Sequence, residues 1–143
     1  MTRSKRIKTI VRLSENKERT AAREFAAVQK VLNNYKKRLS QLQEYREEYL
    51  QYMKPDGQKQ SIKSIREKQA FILQIDEGIR LLTEQIQMQQ QMNNQERDKW
   101  LKQKQQLDTM VNIHDRFDKA EKQIAELREQ HNLEEITQRR AGR

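Results

Sequence analysis

The stretch from Ala21 to Leu42, AAREFAAVQKVLNNYKKRLSQL, decides the fold. Ala21, Phe25, Val28, Leu32, Tyr35, Leu39 and Leu42 recur at alternating steps of four and three, the heptad spacing that lays an apolar seam along a helix and winds it around a partner. Tyr49 and Met53 continue the register through Arg46. Backwards it passes Glu18, Ser14, Val11 and Ile7, weakening towards a basic N-terminus. A second series, Ile65, Lys68, Ile72, Ile75, Ile79, Leu82 and Ile86, keeps the same rhythm. It falls through the glutamine-rich stretch Gln87–Lys99 and resumes at Trp100, Leu107, Met110, His114, Phe117 and Ile124, so under-packing or a stutter is expected in the middle of the second helix.

Composition points the same way. Of 143 residues, 34% are apolar and 36% charged, against roughly 45–50% and 25% in ordinary globular domains, which argues against a thick core. With only 3 Gly and 1 Pro, the chain lacks the punctuation that sheets and hairpin turns need. The exception is Lys54-Pro55-Asp56-Gly57, whose proline presets φ and whose glycine tolerates a positive φ. Beyond it, Ser64 stands three residues before Glu67 in capping-box spacing, so a helix start at Ser61 or Ser64 is expected. The expected fold is all-α, an antiparallel two-helix coiled coil: a long helical hairpin with unequal arms. It forms a single coiled-coil domain over 1–143, with helix 1 at about 5–53, a turn at about 54–60 and helix 2 at about 61–138.

Folding at Pro55-Asp56-Gly57 sets residue i against about 114 minus i, leaving an overhang of about 30 C-terminal residues at 1.5 Å each. The pair Asn132 and Glu135 could restart a short helix after a break near His131. Anions stand four residues before cations at Glu15/Arg19, Asp98/Lys102, Asp118/Lys122 and Glu135/Arg139, pairs that each add about 0.2–0.5 kcal/mol to an isolated helix.

Chemistry-bearing patterns are scarce. The chain has no cysteine and two histidines, and no Walker loop, G-x-G-x-x-G, G-x-S-x-G or H-E-x-x-H. Adjacent carboxylates such as Glu47 and Glu48 point about 100° apart on a helix and cannot act as a dyad. No catalytic, cofactor-binding or metal-binding residue is therefore assigned, and neither an enzyme nor a small-molecule substrate is expected. No apolar run approaches a membrane span and no secretory signal follows the N-terminus, so an intracellular, soluble protein is expected. The net charge of +9 is concentrated at the ends, with Arg3, Lys5, Arg6, Lys8 and Arg12 at one and Arg139, Arg140 and Arg143 at the other. Such ends suit an acidic protein surface, nucleic acid or anionic lipid. Nucleic acid is disfavoured, because no aromatic interleaves the basic run to stack a base.

Aromatics beside the seam carry more information than the heptads. Leu39-x-x-Leu42-x-x-Tyr45-x-x-x-Tyr49 is followed across the turn by Phe71-x-x-x-Ile75-x-x-Gly78. Tyr45 and Phe71 each fall one position before a seam residue, where a pure coiled coil does not require them. Leu42, Tyr45, Tyr49, Phe71 and Ile75 can form one patch near the tip, either widening the core or serving as a docking surface rich in Tyr and Phe.

This order of features, with Trp100 and Leu107 and the ending L-E-E-I-x-x-R-R at Leu133–Arg140, resembles the flagellar type III export-apparatus FliJ family over most of the chain. Arg38 and Leu82 depart from the family pattern at the edge of the aromatic patch. The resemblance implies a non-enzymatic stalk inserted in the hexameric flagellar export ATPase, promoting ring assembly and activity. It implies contact with the cytoplasmic domain of the export-gate membrane protein, escort of export chaperones, and a cytoplasmic location peripheral to the inner membrane at the flagellar base. On that reading Arg3, Lys5, Arg6, Arg12, Arg139 and Arg140 face the ATPase, while Leu42, Tyr45, Tyr49, Phe71 and Ile75 face the gate. The stalk of a virulence-type secretion system, a homodimeric scaffold and a basic nucleic-acid-binding coiled coil remain alternatives.

Overall fold

Helix α1, Arg3–Tyr52, contains no glycine or proline, and helix α2, Ile62–Ala141, contains Gly78 alone. Uninterrupted Gln, Glu, Lys, Arg, Leu and Ala are good helix formers, and the resulting helices reach 50 and 80 residues. The computed structural model describes residues 2–53 and 61–142, and no strand occurs among them. The turn expected at 54–60 lies outside the described residues.

Hydroxyl side chains start both helices. The Lys5 amide donates to Thr2 Oγ1 at 3.4 Å, and the Ser64 amide to Ser61 Oγ at 3.1 Å, satisfying first-turn donors that have no intrahelical partner. Ser61 is thus the cap of α2, and Ser64 and Glu67 lie inside the helix. At its other end α2 finishes with Arg139 and Arg140 in the last turn, where cations suit the helix dipole. The break expected near His131 is absent. Asn132 is helical, since one asparagine costs well under about 1 kcal/mol of helix propensity and Glu135 meets His131 Nε2 at 3.2 Å within the same turn.

The two helices pack antiparallel, and their contacts form two compact units, Met1–Ala22 with Lys99–Arg143 and Arg23–Asp98. In the second unit Tyr49 meets Phe71, Arg46 meets Asp76 and Leu42 meets Gly78. In the first unit Glu18 meets Trp100, Arg3 meets Phe117 and Ser4 meets Glu121. Pairing follows about 120 minus i, a slip of about six residues, or about 9 Å, from the expected 114 minus i. The expectation assumed a symmetric turn. Instead α2 begins where Ser61 can cap it, and only at Lys68, whose Nζ lies 5.8 Å from the Tyr52 ring centre, is it abreast of the end of α1. Ile62 and Ile65 are exposed in consequence. The same slip shortens the C-terminal overhang, which begins at Lys122 and leaves Ile124 solvated.

The seam itself runs as its spacing requires. Every heptad position from Ile7 to Tyr49 in α1, and Met53 just past its end, is buried or half-buried. In α2 the seam does not stutter: Gln89, Asn93 and Glu96 occupy its positions between Ile86 and Trp100 and are all covered. Helical phase counts residues and not polarity, and the separation of Ile86 from Trp100 is two whole heptads, so the polar side chains are carried into the interface. The core is thin, with Ala21, Leu32 and Ile75 as the buried apolar residues among those described.

Candidate functional site

In unit Arg23–Asp98, the four-residue step from Tyr45 to Tyr49 places both rings on neighbouring turns of α1, facing Phe71 of α2. The Tyr49 and Phe71 ring centres are 4.6 Å apart, and Tyr45 meets Phe71 edge-on at 6.2 Å, geometries that aromatic quadrupoles favour. Tyr45 keeps 47% of its surface exposed, whereas Tyr49 and Phe71 are half-buried. An ideal Cβ at position 78 would stand 3.2 Å from Leu42 Cδ2, so Gly78 is the residue that lets Leu42 lie against α2. Ile75 differs from the rest of the expected patch. It is 5% exposed because its seam position turns it into the core, where it supports the surface without belonging to it.

Polar contacts frame this patch. Arg46 Nε donates to Asp76 Oδ1 at 2.6 Å between the helices, and this bond holds the guanidinium pKa above its ordinary value. Arg80 bridges Glu77 and Glu84 along α2, both at 2.6 Å. Its hydrogen bonds lower the Glu77 carboxyl and raise the Arg80 guanidinium.

The unit formed by Met1–Ala22 and Lys99–Arg143 holds the cations. Arg3, Lys5, Arg6 and Arg12 are exposed on α1, with the Arg3 guanidinium 5.9 Å from the Phe117 ring centre. Here cross-helix hydrogen bonds add to a half-buried seam that includes Ile7, Val11, Leu107 and Phe117. Trp100 Nε1 donates to Glu18 Oε1 at 2.9 Å, and Ser4 donates to the Glu121 carboxylate from its amide at 3.2 Å and its hydroxyl at 2.5 Å. Glu121 thus caps the first turn of α1 from the other helix, and the Ser4 bonds push its pKa below the ordinary carboxylate range. Nothing in the seam spacing announces that contact, since it depends on the six-residue slip. Arg139 and Arg140 are exposed on the overhang, 18 residues and more past Glu121 and so at least about 27 Å along α2. The six cations expected to act together therefore stand in two groups.

A family model described as the flagellar FliJ protein matches residues 3–143. The chain belongs to the FliJ family. No curated protein and no solved structure matches it. Membership in the FliJ family makes it a flagellar type III export-related protein. The FliJ match spans both helices, so it takes in the aromatic patch and both groups of cations. Of the pairs expected along the helix surfaces, Asp118 and Lys122 meet at 3.0 Å, while Asp98 is with Arg97 and Glu135 with His131. Among the described residues no helix is long and apolar enough to cross a membrane, and no group of three His, Cys, Asp or Glu side chains is placed to hold a metal.

Proposed function

We propose that this FliJ-family chain is a non-enzymatic coiled-coil stalk of flagellar type III export, acting in the cytoplasm at the membrane base of the flagellum. The family match over residues 3–143 is the observation that carries this reading. Two continuous helices of 50 and 80 residues suit such a part, because unequal arms present a different surface to each subunit of a near-symmetric ring. In this reading the end bearing Arg3, Lys5, Arg6 and Arg12, with Arg139 and Arg140 on the overhang, enters the export ATPase hexamer and promotes its assembly and activity. Tyr45, with Tyr49, Phe71 and Leu42 behind it and Ile75 supporting them, docks on the cytoplasmic domain of the export-gate membrane protein. A half-exposed tyrosine set edge-on against Phe71, whose ring is itself packed on Tyr49, has the make-up of an interface hot spot. Export chaperones complete the set of partners.

Steady-state ATP hydrolysis by the purified flagellar export ATPase, titrated with the intact chain and with a form lacking residues 1–12, tests the first half. Stimulation with more rings, lost on truncation, is the expected outcome. No effect of the intact helical protein would overturn it. Binding of the gate domain to Y45A/F71A tests the second half, which fails if affinity is unchanged while helicity is retained.

A further inference from the structure

Heptad geometry gives each unit two long flanks, and in unit Arg23–Asp98 they differ. Residues one position before the seam lie on the flank where Tyr45 meets Phe71. Farther along that flank, and remote from those rings, stand Val31, Leu81, Met88 and Met92, each keeping between 41% and 59% of its surface in solvent. The register of about 120 minus i sets Val31 beside Met88 and Ala27 beside Met92 across the groove. The opposite flank over the same length carries Gln29, Asn33, Lys36, Thr83, Gln87, Gln90 and Asn94, as a solvated face should. Isolated exposed apolar residues need no explanation, but an aligned stripe marks an interaction site. Methionine suits that role because it is unbranched and polarisable and can repack around a partner.

Charge on the two rims identifies what would lie there. The α1 rim holds Arg23, Lys30 and Lys37, and Glu24 and Arg38, each one position before a seam residue, bound the apolar stretch at Val31 on either side. The α2 rim holds Glu77 and Glu84, both bound by Arg80, and Asp98 with Arg97 at 3.4 Å. Its three acids share two arginines of their own helix and leave one negative charge over, whereas the α1 cations are in larger excess. We propose that this flank docks an acidic amphipathic helix of a partner protein as a third helix. The partner's apolar stripe covers Val31, Met88 and Met92, and its carboxylates meet Lys30 and Lys37. The site is separate from the Tyr45 and Phe71 patch, since Phe71 and Met88 are about 26 Å apart along α2.

The test uses the full chain and a lactam-bridged helical peptide of about 18 residues, or five turns. Leucines recur at i, i+3, i+4 and i+7, and glutamates flank them; a second peptide carries lysines in place of the glutamates. The acidic peptide is expected to bind, with affinity falling about tenfold or more in Met88→Glu and in the double variant Lys30→Glu/Lys37→Glu, a loss of about 1.4 kcal/mol or more. The lysine peptide is expected to bind Lys30→Glu/Lys37→Glu better than the parent. These are surface changes, and circular dichroism checks that each variant keeps its helicity. Equal binding of both peptides, binding of neither, or no effect of Met88→Glu would overturn the proposal. Concentration-dependent dimerisation abolished by Met88→Glu would assign the flank to a second copy, and binding of phosphatidylglycerol vesicles in place of the peptide would assign it to lipid. Both outcomes refute it. Y45A/F71A should leave peptide binding unchanged, so failure here is distinguishable from failure of the gate reading.

Discussion

The two units share one heptad spacing and hold their helices together by different means. Between Arg23 and Asp98 the contacts are mainly apolar and aromatic, with Leu32 and Ile75 buried and Tyr49 against Phe71, and the Arg46–Asp76 bond and the buried Asn93 are the polar exceptions. Between the N-terminal segment and Lys99 onward, the buried residues are Ser4 and Ala21, and the cross-helix bonds come from Glu18, Trp100 and Glu121. Spacing sets where two helices meet; side-chain chemistry sets how firmly. An interface of hydrogen bonds exchanges protein partners for water at small net gain, so the basic end should open before the aromatic end does.

Leu32→Ala should sharpen the contrast most. Leu32 is 3% exposed, and a buried leucine truncated to alanine costs about 2–5 kcal/mol. A thermal melt followed by circular dichroism should lose much of its midpoint, and a cost near zero would break the comparison. In the opposite direction, Asn93 is 8% exposed with Nδ2 unpartnered at a seam position. Asn93→Leu should stabilise the same unit by about 1–2 kcal/mol, at the risk of relaxed register, because a buried asparagine at such a site specifies alignment at the expense of stability. Sedimentation alongside the melt separates the two effects.

Smaller changes probe the hydrogen-bonded unit. Trp100→Phe keeps most of the ring and removes the donor to Glu18, so about 1 kcal/mol should be lost. Hydrogen exchange should accelerate in residues 3–22 and not around Tyr49. Equal acceleration in both units would mean that they open as one. The smallest effect concerns Glu121. Its folded pKa is depressed, chiefly by the Ser4 hydroxyl, so its contribution is present above the unfolded carboxylate pKa and fades as pH falls through the lower folded value. Amide protection at Ser4 should therefore decline on acidification below the ordinary carboxylate range, and Glu121→Gln should flatten that dependence.

The sequence by itself determined that two long helices would form, which face of each would be covered, and that aromatics would flank the seam near Tyr45 and Phe71. These follow from local counting, since 3.6 residues per turn and a four-three repeat fix the buried stripe whatever occupies it. The tertiary structure alone decided the register, because a heptad seam slides onto its partner in steps of a turn or two with little change in pattern. That slip moved the overhang to Lys122, exposed Ile62 and Ile65, and brought Glu121 to the first turn of α1. It also set Tyr49 directly against Phe71 and Leu42 against Gly78. Which side chains share a surface depends on the pairing of distant turns, which no single helix encodes.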